Sequence, residues 1–324
     1  MSAPATIQVG PIQTVCQDEN HNAFTDLFRY RGRYYLAFRS CRDGHAVAGT
    51  ARVVILSSED AEDWTEAFSF TVAGRDPRDP HFIEFKGSLF VYTGTWLVPE
   101  DGQPLNLNDH LGYAVWTEDG KDWKAPRLLE GTYGHYLWRA AVYGERAYLC
   151  GRRRSVFESE IESEREPLTI ESAMLESDDG LVWRFRAFFA EEYGDETAVL
   201  FEQDGSILAI VRDGEGKRAR VCRSAPPWEA WSRTPLDRNV GGPLLARWGD
   251  RYLVGGRKQN ADREPRMALY WLVDDELVEV AELPSGGDCS YPGFVQLDED
   301  RALLSYYSSH EGPTSIYLTE LRLQ

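Results

Sequence analysis

The chain has 324 residues and a formal net charge of −18 at pH 7. So acidic a balance disfavours nucleic acid or an anionic membrane as a partner, because phosphate binding needs a basic surface. The five cysteines are an odd number without metal-ligand spacing, no apolar run reaches the roughly 20 residues of a membrane helix, and the first residues lack the pattern of a secretion signal. We therefore expect a cytoplasmic protein without a metal or other cofactor, unless a leader has been removed.

One module recurs six times along the chain. In it a turn, which contains glycine in all copies but the last, leads into a short run rich in β-branched and aromatic residues. The six copies are Arg31–Phe38, Lys86–Tyr92, Gly144–Leu149, Asp204–Val211, Gly249–Val254 and Asp298–Ser305. Repeats of roughly 45 to 60 residues predict an all-β fold, a six-bladed β-propeller of four-stranded antiparallel blades around a central axis, as one domain over 1–324. Ring closure is expected to use Ile12–Val15 as a strand of the last blade.

A second motif, Ser/Thr-x-Asp-Gly/Ala-x-x-Trp, occurs in the later part of three modules. It starts at Ser58, Thr117 and Ser177 and follows apolar runs, so it lies between two strands of a blade. We expect its hydroxyl and Asp side chains to bind amides of the turn, and its Trp to pack against a neighbouring blade. These turns indicate architecture rather than chemistry. The acidic stretch 158–164 is expected to be an exposed loop.

The segments just before the six turns are the predicted innermost strands, which line the axis of a propeller. Five charged or phenolic side chains fall at comparable places in them, and these are Asp26, Asp79, Arg139, Glu196 and Tyr291. The repeat register therefore brings them to one axial mouth. Several titratable groups that converge predict a binding or catalytic site. Each residue alone could instead satisfy backbone groups around the channel.

Two pairs of segments resemble the sialidase superfamily, especially its bacterial exo-sialidase-like members, and the resemblance spans the chain. Asp195–Val199 followed by Ile210–Asp213 is similar to the sialidase segment in which a catalytic Glu precedes an arginine. Ser290–Val295 followed by Leu304–Tyr307 is similar to the segment with the nucleophilic Tyr. The turns with Asp and Trp resemble the Asp-box of these proteins, one residue shorter.

The resemblance implies that Glu196 takes the proton of Tyr291, which attacks the sugar. A phenol with a pKa near ~10 is a poor nucleophile at neutral pH, so it needs an adjacent carboxylate. The family clamps the substrate carboxylate with three arginines. Arg212 and Arg257 match two of them, but Phe24–Leu27 stands where the family has Arg-Ile-Pro. An anionic subsite could be rebuilt from three other arginines, which are Arg39, Arg78 and Arg139.

The resemblance places the catalytic acid in the loop after the first module. Asp43 is the candidate there, and His45 is a competing proton donor or sugar-binding group. Asp26, Asp76 and Asp79 are further candidate acids. Additional sugar-binding candidates, each of which could instead serve packing or a turn, are Trp138, Tyr306, Tyr307 and His310.

We therefore expect a carbohydrate-active enzyme, a sialidase-like exo-glycosidase that removes a terminal sugar, for which an acidic sugar is one option. If Asp26 and Asp79 face each other across the mouth, a two-carboxylate hydrolase is the alternative. A polysaccharide lyase acting on a uronic acid is another, since it needs Tyr and His beside arginine. The histidine candidates for that role are His45, His81, His135 and His310. A propeller that binds carbohydrate or protein without turnover is the third, although the pairing of Glu196 with Tyr291 counts against it.

Overall fold

A computed structural model describes residues 5–100, 103–155, 169–214, 218–260 and 263–324. The acidic stretch 158–164 lies outside the described residues. These residues form strands, one short 3-10 turn at Leu107–Asp109 and no α-helix. No helix that could cross a membrane is found among them.

The strands build six antiparallel sheets, which are the six predicted blades. Blade 1 contains β3 (His21–Tyr30), β4 (Arg33–Cys41), β5 (Arg52–Ser58) and β6 (Thr65–Phe70). Blade 2 contains β7 (Arg75–Phe85), β8 (Ser88–Leu97), β9 (Leu111–Thr117) and β10 (Arg127–Leu128). Blade 3 contains β11 (Tyr136–Tyr143), β12 (Arg146–Arg154), β13 (Ile170–Ser177) and β14 (Arg184–Ala190). Blade 4 contains β15 (Gly194–Phe201), β16 (Ile207–Asp213), β17 (Arg220–Ser224) and β18 (Trp231–Pro235), and blade 5 contains β19 (Gly241–Trp248), β20 (Arg251–Asn260), β21 (Arg263–Val273) and β22 (Glu276–Glu282). Blade 6 contains β23 (Cys289–Gln296), β24 (Arg301–Ser308) and β25 (Ser315–Leu323), together with β1 (Ile7–Val9) and β2 (Gln13–Cys16).

The blades are arranged in a closed ring. Each innermost strand contacts the innermost strand of the next blade, and β23 of blade 6 contacts β3 of blade 1. Apolar side chains fill the space between blades, as where Tyr30 and Val53 of blade 1 pack with Leu89 and Val115 of blade 2. The six-bladed propeller predicted from the repeats is confirmed.

The ring is closed by the beginning of the chain. Both β1 and β2 pair with β25, which places Ile7 opposite Leu323 and Thr14 opposite Tyr317. The N-terminal run was expected to supply one strand of the last blade, and it supplies two. The outer edge of β25 is therefore covered by paired backbone.

The three turns with Asp and Trp bond as the sequence predicts. In blade 1, Asp60 Oδ1 accepts the amides of Glu62 and Asp63 at 2.9 and 3.1 Å, and Ser58 Oγ accepts the amide of Ala61 at 2.9 Å. The turns that start at Thr117 and Ser177 repeat these bonds. They lie at the ends of third strands, beside the hairpin turns of a neighbouring blade and away from the axial mouth.

Each innermost strand carries a β-bulge at the same place, where two residues oppose one on the second strand. The six bulged pairs are Phe24–Thr25, Asp79–Pro80, Trp138–Arg139, Asp195–Glu196, Gly242–Pro243 and Tyr291–Pro292. Four of the first residues have positive φ, with values of 63° at Phe24, 52° at Asp79, 61° at Gly242 and 55° at Tyr291. A bulge re-aims side chains and bends the strand. The ring of bulges therefore determines which side chains meet at the axial mouth.

Candidate active site

Tyr291 and Glu196 meet across the axial mouth. The Tyr291 hydroxyl donates to Glu196 Oε1 over 2.5 Å, and both side chains are buried. The Gly242 amide donates to Glu196 Oε2 at 2.8 Å. The backbone of Tyr291 is held from both neighbouring blades, because Thr25 Oγ1 donates to its carbonyl at 2.7 Å and Ser290 Oγ donates to the Gly241 carbonyl at 2.7 Å. The contact between Tyr291 and Glu196 that the sequence predicted is therefore held in place by residues of blades 1, 4, 5 and 6.

The surroundings of this pair keep the proton on the phenol at rest. Burial raises the pKa of Glu196, but the charge of Arg212 and the hydrogen bond from Tyr291 outweigh burial and hold that pKa below its ordinary value. The pKa of Tyr291 lies well above its ordinary value, because burial and the charge of Glu196 both disfavour the phenolate. A short bond from a phenol to a carboxylate is a strong, charge-assisted hydrogen bond. The carboxylate can therefore accept the proton while the phenolic oxygen forms a new bond.

Two arginines flank the pair. Arg212 Nη1 lies 2.7 Å from Glu196 Oε2, and Arg257 Nη1 donates to the Cys289 carbonyl at 3.3 Å. The Nε atoms of both arginines are buried and have no hydrogen-bond partner among the described residues. Unpartnered donors in a polar pocket indicate a place for ligand or water.

Phe24 packs against Tyr291 on a third side of the mouth. The Phe24 ring lies 4.9 Å from the Tyr291 ring, and the Arg78 guanidinium lies 5.6 Å from the centre of the Phe24 ring. Phe24 is 3% exposed, so this side of the mouth is a packed aromatic cluster with one cation beside it.

Asp79 is a protonatable carboxyl in the same mouth. It is 4% exposed, and the Tyr136 hydroxyl donates to Asp79 Oδ2. Burial and the charge of Glu196 raise its pKa to about 7, although Tyr136 and Arg78 pull in the opposite direction. Its Oδ1 is buried and lacks a partner among the described residues. The pocket thus combines an ionised carboxylate with a carboxyl group that keeps its proton up to neutral pH.

Arg139 and Asp26 are used within the protein. Arg139 donates to the carbonyls of Pro243 and Pro292 at 3.1 and 2.5 Å and to Asp26 Oδ1 at 3.1 Å. Asp26 also accepts the amide of Phe82 at 2.8 Å. These contacts connect five blades around the axis, which is the structural role that the sequence left open for both residues.

Arg39 and Arg78 form a buried network with Asp76. Arg39 binds both oxygens of Asp76 at 2.8 Å and donates to the carbonyls of Gly44 and Ala46 at 3.0 and 3.1 Å. Arg78 Nε lies 3.2 Å from Asp76 Oδ2. The two arginines hold the loop between β4 and β5 rather than facing an open subsite.

That loop carries Asp43 and His45, which point to different surroundings. Asp43 accepts from Thr50 Oγ1 at 2.7 Å and lies 3.6 Å from Arg42, so its contacts stay within the loop. His45 Nδ1 lies 2.7 Å from Asp288 Oδ2 in blade 6. Tyr307 also donates to Asp288, at 2.9 Å. The structure brings His45 and Tyr307 to the mouth and leaves Asp43 outside this cluster.

Asp288 was missed by the sequence analysis, and a positional signal could have found it. It lies three residues before the bulged Tyr291, as Asp76 lies three before Asp79 and His21 lies three before Phe24. The residue three positions before a bulge lies at or next to the start of the innermost strand, on the side of the axial mouth. Polar residues there bond across blades, and Asp288 accepts from His21 Nε2 at 2.7 Å.

The remaining sequence candidates lie around or away from the mouth. Trp138 is 1% exposed and packs edge-on against Tyr291, with 5.0 Å between ring centres. Tyr306 is fully buried in blade 6, where it donates to the Pro284 carbonyl at 2.9 Å. His310 contacts Ser308 Oγ at 3.0 Å within its turn. Trp138 therefore packs against the Tyr291 ring, while Tyr306 and His310 make local contacts.

No protein-family model and no curated protein matches the chain. Among solved structures, a protein of unknown function from Dyadobacter fermentans DSM 18053 is 21% identical with a TM-score of 0.82, over 98% of this chain and 100% of that one. A Trypanosoma rangeli sialidase in complex with 2,3-difluorosialic acid, a covalent intermediate, is 13% identical with a TM-score of 0.65, over 93% of this chain and 54% of that one. A mutant of the NanB sialidase from Streptococcus pneumoniae is 13% identical with a TM-score of 0.70, over 97% and 71%.

These similarities concern the fold. At such identities a shared architecture does not transfer an activity, because one fold hosts many functions. The chain spans about half the length of the Trypanosoma rangeli sialidase that it matches. It adopts the six-bladed propeller fold of the sialidases.

Proposed function

We propose that this protein is a glycoside hydrolase, an exo-glycosidase that releases a terminal acidic sugar through a covalent bond to Tyr291. The observation that carries the proposal is the buried contact of 2.5 Å between the Tyr291 hydroxyl and Glu196. A binding protein has no need of a base on a phenol, whereas a Tyr nucleophile requires one. Sialidases with a Tyr nucleophile are known exceptions to the two-carboxylate scheme of glycosidases.

The proposed first step uses the pair directly. Tyr291 Oη bonds to the anomeric carbon while its proton moves to Glu196, and the glycosidic bond breaks with its electron pair on the leaving oxygen. A phenol is neutral until it reacts, so it approaches an anionic sugar without the repulsion that a carboxylate nucleophile would suffer. In the second step water attacks the anomeric carbon, the Tyr291–carbon bond breaks with its electron pair on the phenolic oxygen, and Glu196 returns its proton there. The proton that the water loses restores the acid that protonated the leaving oxygen in the first step. Two displacements at one carbon retain its configuration.

The surroundings suit an acidic sugar with one apolar face. Arg212 and Arg257 offer fork-shaped cations that match a carboxylate, and their Nε atoms have no hydrogen-bond partner among the described residues, although Arg212 Nε lies 4.0 Å from Asp195 Oδ2. Phe24, which is 3% exposed, stands where the family has an arginine, so the third side of the mouth is apolar and offers no cation at this position. We therefore expect the preferred substrate to carry one carboxylate and to be contacted by fewer cations than in a three-arginine clamp.

The test is hydrolysis of aryl glycosides of sialic acid, uronic acids, rhamnose, fucose and arabinose. The wild type should hydrolyse at least one acidic member, and Tyr291→Phe and Glu196→Gln should each lower kcat/KM by roughly 1,000-fold or more. Tyr306→Phe removes the hydroxyl of a buried Tyr in the same blade that binds only a backbone carbonyl, so it is the matched control and should keep most activity.

Three outcomes would contradict the proposal. Equal activity of Tyr291→Phe and Tyr306→Phe would remove the nucleophile. An ultraviolet absorbance that grows with an acidic polysaccharide would show a new double bond and hence a lyase. Absence of turnover, with sugar affinity kept in Tyr291→Phe, would identify a binding propeller.

A further inference from the structure

Resting on the proposed function, we propose that His45, held in place by Asp288, is the acid that protonates the leaving group. The pair is built from two distant parts of the chain, since His45 lies in the loop between β4 and β5 and Asp288 directly precedes β23, the innermost strand of blade 6. Their contact of 2.7 Å joins blades 1 and 6 at the mouth. The role expected of Asp43 thus passes to the other ionisable group of the same loop.

Asp288 is the centre of a four-residue cluster. Its Oδ2 lies 2.7 Å from both His21 Nε2 and His45 Nδ1, and its Oδ1 accepts from the Tyr307 hydroxyl at 2.9 Å. Three donors to one carboxylate stabilise its ionised form. Asp288 is therefore an acceptor for every partner.

This hydrogen-bond pattern sets the protonation of the histidine rings. Arg39 Nη1 lies 3.4 Å from His21 Nδ1, and because a guanidinium can only donate, that nitrogen accepts. His21 therefore carries its proton on Nε2 and donates it to Asp288. His45 likewise donates Nδ1–H to Asp288, so His45 Nε2 is the nitrogen that exchanges protons with substrate.

The backbone around His45 is fixed as firmly as its ring. The carbonyls of Gly44 and Ala46 accept from Arg39, the carbonyl of His45 accepts from Arg78, and the amide of Ala48 donates to Asp76 at 3.0 Å. Because buried arginines hold the backbone of this loop, the His45 side chain is positioned as firmly as one on a β-strand. Such preorganisation is what a proton donor needs and what a solvent-exposed surface histidine lacks.

Accessibility separates His45 from the carboxyl groups that could compete with it. The leaving group carries the rest of the glycan, so its acid must lie at the open side of the pocket. The His45 side chain is 56% exposed, and its ring lies 5.7 Å from Phe24, which touches Tyr291. Asp79 is only 4% exposed and accepts from Tyr136. Asp43 is exposed but has its contacts within its own loop.

The proton balance of the cycle closes with this assignment. In the first step protonated His45 gives its Nε2 proton to the leaving oxygen, which takes the electron pair of the broken glycosidic bond. In the second step neutral His45 takes a proton from the attacking water, whose oxygen bonds to the anomeric carbon. The Tyr291–carbon bond breaks, its electron pair returns to the phenolic oxygen, and Glu196 returns the Tyr291 proton.

The test compares leaving groups on the sugar that the wild type hydrolyses. An acid matters little for a dinitrophenyl group, which leaves as a stable anion, and much for a phenyl group, which does not. His45→Gln should therefore lose roughly 100-fold or more in kcat/KM with the phenyl glycoside and less than about 10-fold with the dinitrophenyl glycoside. Asp288→Asn should show the same dependence more weakly, as expected for a residue that positions His45. Added azide should speed His45→Gln by attacking the covalent intermediate without needing a base.

Asp43→Asn and Asp79→Asn complete the comparison, and the far-ultraviolet circular dichroism of each variant checks its fold. A leaving-group dependence in either of these, with none in His45→Gln, would overturn the proposal in favour of a carboxylic acid. An equal loss of His45→Gln on both glycosides would overturn it as well, while leaving the Tyr291 mechanism intact. If the wild type hydrolyses no glycoside, the proposed function fails and this inference fails with it.

Discussion

At the scale of single residues, two buried carboxyl groups near Tyr291 are held in opposite protonation states. Burial acts on both, but Arg212 and Tyr291 lower the pKa of Glu196, whereas burial and the charge of Glu196 raise that of Asp79 to about 7. In water the two residue types differ by less than about one pKa unit, so the difference comes from their surroundings. In the proposed mechanism, such a split leaves Glu196 ready to accept a proton and keeps Asp79 from repelling an anionic sugar.

This split predicts that Asp79 makes stability depend on pH. Its pKa rises from 3.8 to about 7 on folding, so the folded protein binds the proton more tightly, and the stability that the proton provides is lost as pH rises from about 4 to about 7. Asp79→Asn stays neutral throughout. The free energy of unfolding of Asp79→Asn minus that of the wild type, measured by urea denaturation, should therefore be roughly 3 kcal/mol larger at pH 8 than at pH 5.

Asp26→Asn provides the comparison for that measurement. Burial raises the pKa of Asp26, but His81 and Arg139 outweigh burial and lower it below the ordinary value. Asp26→Asn should therefore be less stable than the wild type at neutral pH and should approach it in acid. A gain for Asp79→Asn that is the same at both pH values would show that Asp79 is ionised at pH 5 already.

At the scale of elements, the bulge of each innermost strand decides what reaches the mouth. Gly242 illustrates this, because its bulge has φ of +61° and a Cβ built there would lie 2.7 Å from Tyr291 Cδ2. The Tyr291 ring occupies the space that a side chain at position 242 would fill. The bulge of blade 5 thus shapes the site without contributing a side chain to it.

Gly242→Ala should therefore displace the Tyr291 ring and lower kcat by roughly 100-fold, since a shift of about 1 Å at a reacting atom has that effect. Gly249→Ala is the matched control, with φ of +62° in the hairpin turn of the same blade and nothing within 4 Å of its Cβ. Both variants should lose roughly 1–2 kcal/mol of stability from backbone strain, measured by thermal unfolding. Equal activity of the two variants would show that Tyr291 can move without loss of function.

What the sequence could predict was local. Both central residues of the hairpin turn between β3 and β4 have positive φ, with 49° at Arg31 and 82° at Gly32. A turn of this kind between apolar runs can be predicted from the sequence. The turn around Asp60 closes within a few residues. The partnership of Glu196 with Tyr291 was reached through the resemblance, and the structure brings the two together.

What could not be predicted depends on contacts between blades. Nothing local shows that His45 joins the cluster at the mouth and that Asp43 does not, since the difference is the contact of His45 with Asp288. Arg139 has the charge of a substrate ligand, but carbonyls from blades 5 and 6 use its donors. Such roles are fixed by which groups meet across the axis, and a single sequence does not contain those distances.

At the scale of the whole molecule, the site depends on a closed ring. Tyr291 lies in blade 6, Glu196 in blade 4 and Phe24 in blade 1, so their mutual distances are set by the packing of all blades in between. The closing element is the beginning of the chain, where β1 pairs with β25 and Ile7 packs in one apolar cluster with Trp271 of blade 5. Destabilisation of this distant edge should therefore disturb the geometry of the axial mouth.

Ile7→Ala tests that dependence. Ile7 is 7% exposed, and truncation of a buried isoleucine costs roughly 2–5 kcal/mol, so the midpoint of thermal unfolding should fall. The near-ultraviolet signal of the tryptophans and the activity should be lost together, because a ring with one open edge has no stable partial form. Gln8→Ala alters the exposed neighbour in β1 and should leave the midpoint unchanged. If Ile7→Ala matched Gln8→Ala, β1 would be an appendage and blade 6 would close through β2 alone.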